Sequence, residues 1–125
     1  MKNRSLIART GFAFAGWRTA FQRERSFRAH VGIVIFGAVL LLVVRPEPIW
    51  WAIVALICAL VVAVELVNSA IEALCDMLHP GIHPEIKAVK DMVSGAVLAV
   101  TLAAIVVAAA LIYAHWHVVM GKLAL

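Results

Sequence analysis

The chain has 125 residues, of which 65% are hydrophobic and 14% charged, with a mean hydropathy of +1.02. Soluble domains hold about 45–50% apolar and about 25% charged residues, and a short chain exposes too much surface to hide such an excess in one core. A soluble enzyme, a secreted disulfide scaffold and a disordered tail are thereby excluded, and one membrane domain remains.

The formal net charge of +4 comes from 11 Lys+Arg against 7 Asp+Glu. Its distribution reads as membrane topology rather than nucleic-acid binding, because the bases accompany no reading motif.

Residues 4–25 form the first element. At about 100° per residue, Leu6, Ala13, Trp17 and Phe21 fall within a sector of roughly 80°, with Arg9, Arg18 and Arg23 to the sides. That pattern predicts an amphipathic helix lying on the membrane surface. Arg4, Arg9 and Arg18 interrupt the apolar core that a signal peptide needs. Glu24 shares the bearing of Trp17 and Phe21, which turns a carboxylate toward the rest of the protein.

Three apolar stretches follow. Val31–Val44 has 14 residues before the Arg45-Pro46-Glu47-Pro48 turn. A span takes about 20, so the crossing must include residues 26–30, giving a first span at 26–44. The second span is expected at 49–75 and the third at 92–119, with a cytoplasmic loop at 76–91. At these lengths only helices satisfy their own backbone in lipid. Cys58 and Cys75 lie on one predicted helix, roughly 25 Å apart, too far to bridge.

Seven basic residues precede position 30 (Lys2, Arg4, Arg9, Arg18, Arg23, Arg25 and Arg28). The 45–48 turn has one, the 76–91 loop has Lys87 and Lys90, and the C-terminal end has Lys122. The positive-inside rule places the N-terminus and the second loop in the cytoplasm and the C-terminus outside. Trp50, Trp51 and Trp116 then mark the outer interface.

Chemistry is concentrated in Glu65, Asn68, Glu72 and Asp76, spaced 3, 4 and 4 apart. On a helix they fill an arc of roughly 80°. Ionisable groups inside a span are costly and commonly line a functional path. The alternative is a stripe that bonds helices together, or a helix end already in water, the latter weighing most for Asp76. Beyond it, His79 and His83 are flanked by prolines that break the geometry a shared metal would use. Lys90 beside the acids suits phosphate oxygens, and small Ser94, Gly95 and Ala96 allow close helix approach. Spacing alone yields buried acids at a cytoplasmic membrane interface. A small oligomeric transporter using those acids as titratable sites fits that description too.

One family carries these residues together. Glu24-Arg-Ser-Phe27-Arg28, then Glu65-Leu-Val-Asn68-Ser-Ala-Ile-Glu72-Ala-Leu-Cys-Asp76, His83 and Lys90-Asp91-Met-Val-Ser94-Gly-Ala resemble the prokaryotic diacylglycerol kinases, a family that includes the undecaprenol kinases. The likeness runs from about residue 5 to 115. It implies a homotrimer of three-span subunits with shared active sites in the bacterial inner membrane. It also implies transfer of the γ-phosphoryl group of ATP, with Mg²⁺, to a lipid hydroxyl. Diacylglycerol is the favoured acceptor and undecaprenol the alternative. By the same resemblance Glu65 is the base, and Glu24 and Glu72 bind the metal. Glu24, Asn68, Glu72, Gly81, Ile82, His83, Lys90 and Asp91 contact nucleotide, while Arg18, Arg28, Glu65 and Ser94 line the lipid side. Phe12 stands where a tyrosine is frequent in the family, Ser5 where an arginine is expected, and Ala29-His30 follow Arg28 as in the undecaprenol kinases.

Overall fold

A computed structural model describes residues 5–124 as five helices, with no strand among them. Lys2 and Arg4, counted above among the N-terminal bases, lie outside the described residues.

Helix α1 covers Leu6–Arg23, capped by Ser5, whose hydroxyl accepts from the Ala8 amide at 3.2 Å. Glu24 then adopts an extended conformation (φ −112°, ψ 111°), and α2 runs from Arg25 to Val44. Its 20 residues are about 30 Å long, one hydrocarbon thickness. The helix stops at Arg45, which takes the left-handed conformation (φ 50°) directly before Pro46, a residue that cannot continue it.

Helix α3 spans Pro48–Leu78 and α4 spans Pro84–Ala114, each 31 residues and each opened by a proline in its first turn. The His83 side chain caps α4 by accepting from the Glu85 amide at 3.1 Å. The expected 76–91 loop is therefore contracted to residues 79–83. A run of charge ends the apolar stretch without ending the helix, since Asp, Glu and Lys are compatible with helical backbone. At about 46 Å, α3 and α4 outrun the roughly 30 Å hydrocarbon layer by several turns. The apolar run expected to reach residue 119 is broken at His115, after which a short α5 covers Trp116–Leu123.

Helices α2, α3 and α4 are each long and apolar enough to cross a membrane. Their apolar core sits at one end, where Leu41, Val44, Val54 and Leu111 are buried against Trp50, Cys58, Val107 and Val119. Gly37 lets α2 approach α3 there: a Cβ at that position would meet Cys58 Sγ at 3.2 Å and Val54 Cγ1 at 3.3 Å. The same end is tied by His115 Nε2 to Glu47 Oε2 at 2.8 Å, by Trp50 edge-on to His115, and by Trp51 donating to the Pro46 carbonyl. Cys58 and Cys75 are both free thiols. The opposite end carries the polar stripe.

Candidate active site

Glu65 is the centre of that polar end. It is 0% exposed, its Oε1 accepts from the Ser26 hydroxyl at 2.6 Å, and His30 Nδ1 lies 3.5 Å from its Oε2. A buried carboxylate is tolerated only where donors replace lost water. Helix α2 supplies the Ser26 hydroxyl at Oε1 and, one turn on, the His30 ring near Oε2, which has no hydrogen bond within the described chain. Counted from Pro48, Glu65 lies about 26 Å along α3 and Glu72 about 36 Å. In a layer of roughly 30 Å, the first is just inside its far edge and the second just beyond.

His30 ties the three long helices together. Its Nδ1 is 2.8 Å from the Ser26 carbonyl oxygen, an acceptor only, so Nδ1 carries a hydrogen. Its Nε2 is 3.3 Å from Thr101 Oγ1 on α4, while the Thr101 hydroxyl donates to the Val97 carbonyl at 2.8 Å.

Asn68 and Ser69 follow on α3, buried at 8% and 9% exposure, yet Asn68 Oδ1 and Ser69 Oγ have no hydrogen-bond partner within the described chain. Buried polar atoms left unpaired are rare enough to require an explanation. Ser69 faces a cavity of about 510 Å³ between α1 and α3, lined also by Trp17, Ala20, Arg23, Glu24, Ala70 and Ala73. Glu24 reaches this cavity as the junction residue between two helices, not as part of the α1 face, because α1 has already ended at Arg23.

Glu72 is half-buried and does not line that cavity. It lies within electrostatic range of the Lys90 ammonium, which bonds Asp76 Oδ1 at 2.6 Å and so ties α4 to α3. Asp91 is held one turn from Lys87, Nζ to Oδ2 at 2.6 Å. In the linker, Gly81 and His83 are exposed and Ile82 is 98% exposed; the Gly81 carbonyl lies 3.2 Å from His79 Nδ1. Within one chain, then, the three glutamates singled out from sequence occupy three places: Glu65 beside Ser26 and His30, Glu24 in the α1–α3 cavity, and Glu72 with Lys90.

The residues expected on the lipid side are also divided. Arg18 lines a second, largely apolar groove of about 500 Å³ with Trp17, Phe21, Phe27, Val31 and Val62. The Arg28 guanidinium instead donates to the Phe21 and Gln22 carbonyls at 2.9 and 3.4 Å. A cation there satisfies the free carbonyls at the end of α1 and fixes the corner between α1 and α2. Ser94 is exposed on α4.

Hard oxygen donors suit Mg²⁺, which is commonly held by one or two carboxylates plus waters and substrate phosphates. Glu24 and Glu72 meet that requirement in chemistry and partial burial. Among the described residues no set of three or more His, Cys, Asp or Glu closes a full protein cage.

Residues 11–112 match the family described as prokaryotic diacylglycerol kinase. The chain belongs to that family of lipid kinases. It is 35% identical over 111 residues to a diacylglycerol kinase of Synechocystis sp., covering 86% of this chain and 62% of that one. It is 40% identical over 94 residues to one from Pseudomonas aeruginosa, covering 73% and 74%, and 30% identical over 111 residues to one from Escherichia coli, covering 89% and 91%. Ser26, His30, Thr101 and Ser69 were not legible as site residues in the sequence. Ser26 and Thr101 lie 39 and 71 positions from the partners they meet, and no local periodicity reports such contacts.

Proposed function

We propose that this chain is an ATP-dependent lipid kinase that transfers the γ-phosphoryl group to the primary hydroxyl of a membrane lipid, with diacylglycerol the favoured acceptor. The observation that carries the reading is the buried Glu65 carboxylate at the edge of the apolar span, in a chain of this family. A carboxylate there can take the proton of a hydroxyl whose acyl chains stay in the bilayer. Phosphoryl transfer asks little covalent chemistry of the protein and depends on placing acceptor and phosphate in line.

In this reading Glu65 is the base. Glu24 and Glu72 hold Mg²⁺, which neutralises the polyphosphate when bound. Lys90 meets phosphate oxygens as a point charge, steadied by Asp76. Asn68, Asp91 and the Gly81-Ile82-His83 linker contact the nucleotide, and Arg18, Arg28 and Ser94 border the lipid. Glu24 and Glu72 occupy separate places within one protomer, which favours a site completed by a neighbouring copy in a homotrimer. The bases before position 30 favour an N-terminus in the cytoplasm, with its ATP, and a C-terminus outside, in the inner membrane of a bacterium.

Undecaprenol is the competing acceptor, favoured by Ala29-His30 after Arg28, where His30 stands beside the base. Purified protein in mixed micelles with labelled ATP, Mg²⁺ and equal amounts of diacylglycerol and undecaprenol decides between them. Label in phosphatidic acid supports the reading, label in undecaprenyl phosphate moves the acceptor, and label in neither lipid removes the kinase assignment.

A further inference from the structure

We propose that α5 is an interfacial anchor, seated on the lipid leaflet at the end of the bundle opposite the polar stripe. It covers Trp116–Leu123, past the residues 11–112 that match the kinase family, and its role is independent of the phosphoryl transfer proposed above. The direction of α5 is set by the break before it. Continued straight from α4, Val119 would stand about 12 Å beyond Leu111. Instead Val119 packs against the cluster of Leu41, Val44, Val54 and Leu111, and α5 meets α2. The helix therefore lies across the end of the bundle. His115 holds the corner: its amide donates to the Leu111 and Ile112 carbonyls at 3.1 and 3.2 Å, and its Nε2 lies 2.8 Å from Glu47 Oε2.

That end is a membrane boundary. Val44 closes α2, whose length is one hydrocarbon thickness, and Pro48 opens α3. At about 100° per residue, Trp116, Val119, Met120 and Leu123 fall within a sector of roughly 100° on α5. Val119 is the packed member of that sector, while Trp116, Met120 and Leu123 beside it stay exposed. His117, Val118, Gly121 and Lys122 take the remaining face. It is open: a Cβ at Gly121 would meet nothing within 4 Å.

Lipid is the occupant that this face fits. Three side chains offer far less than the about 800 Å² per partner that a stable protein contact takes. A headgroup layer asks for an apolar face, an indole at its edge and a cation opposite. Trp116 supplies the indole and the exposed Lys122 the cation, suited to anionic headgroups. Trp51 and Tyr113 are exposed at the same end, as a belt of amphipathic rings would be. Seated there, α5 fixes the height of the bundle in the bilayer, and with it the depth of Glu65, about 26 Å away along α3.

The experiment reads the Met120 methyl group by NMR in the full chain, labelled at its methionine methyls and held in nanodiscs of phosphatidylcholine and phosphatidylglycerol. Met120→Leu identifies the signal. Met77, exposed on the last turn of α3 at the other end, is the water reference. A lipid carrying a nitroxide near the top of its acyl chain should bleach most of the Met120 signal. A soluble gadolinium chelate should bleach Met77 far more than Met120. Bleaching of Met120 by the chelate to the extent seen for Met77 overturns the anchor, because α5 then stands in water. A Met120 signal untouched by both agents also overturns it, and assigns the face to a neighbouring copy.

Discussion

Glu65→Gln is the substitution that separates chemistry from architecture at this site. The amide keeps the shape of the carboxylate and an oxygen that can still accept from Ser26 Oγ, now at 2.6 Å from Oε1. The other oxygen, Oε2, is buried without a hydrogen-bond partner, so exchanging it for an amide nitrogen breaks no bond, but it sets buried donors beside the His30 Nδ1 hydrogen. Removing a charge from a fully buried site relieves desolvation and offsets that cost. The folded state should therefore unfold close to the wild-type temperature. Activity should behave oppositely. A positioned base is worth about 10²–10⁴-fold in rate, or roughly 3–5.5 kcal/mol of transition-state stabilisation, and the amide cannot take a proton at neutral pH. The assay is lipid phosphorylation with labelled ATP beside thermal unfolding in the same detergent. Activity within tenfold of wild type would falsify the base assignment. Activity lost together with the fold would show that the carboxylate holds the helices instead.

Three further outcomes follow from other parts of the molecule. Glu72→Gln should raise the Mg²⁺ concentration needed for half-maximal activity by about 10- to 100-fold, as expected for a lost charge-assisted contact; an unchanged Mg²⁺ titration removes Glu72 from the metal. Ser69→Ala deletes a buried hydroxyl that has no partner, so it should stabilise the isolated protein by roughly 1 kcal/mol while slowing phosphorylation. A lower unfolding temperature would mean that a neighbouring copy bonds this hydroxyl. At the far end, His115 lies at the helix break beyond α4, its pKa raised above the usual 6.5 by the Leu111 carbonyl and then by Glu47. Glu47 is lowered below 4.5 by its own backbone amide and then by His115. The histidine contribution to stability is complete below 6.5 and lost as pH rises through its raised value; the glutamate contribution is complete above 4.5 and lost as pH falls through its lowered one. Titration of the His115 ring by NMR should give a midpoint above 6.5 that drops in Glu47→Gln, and a wild-type midpoint at or below 6.5 refutes the pairing.

What the sequence made legible was whatever a single helix repeats. The 3, 4, 4 spacing from Glu65 to Asp76 records one face of α3, and burial of Glu65 and Asn68 with half-burial of Glu72 follows from it. Charge proved a guide to the membrane edge but not to the helix end: α3 continues through Glu72 and Asp76 to Leu78, and α4 begins at Pro84, ahead of Lys87, Lys90 and Asp91. Helix breaks without glycine or proline were legible only in part. The change from an amphipathic to an apolar pattern put a boundary at residues 25–26, beside the extended Glu24, whereas the third apolar run conceals a break at His115. Contacts between helices were hidden for a different reason. Ser26, His30 and Thr101 are single polar residues on two helices, and only the packing of α2 and α4 beside α3 turns them into the surroundings of one carboxylate.

Those surroundings also distinguish a finished part of the site from an unfinished one. Glu65, the group most costly to bury, is met from within the chain at one oxygen by a hydroxyl at 2.6 Å, while its Oε2 has an imidazole 3.5 Å away and no hydrogen bond. Asn68 and Ser69, far cheaper to leave in water, are buried with Oδ1 and Oγ unpaired. If the polar stripe served only to hold this bundle together, the pairing would run along the whole stripe, since every orphaned atom subtracts from stability. A site that must receive something divides in this way instead. On the proposed reading, Oε1 of the base is organised before the substrates arrive, so less reorganisation is left for the reaction step. The neighbouring acceptors stay open for groups the chain does not own, whether those come from nucleotide, lipid or a second copy.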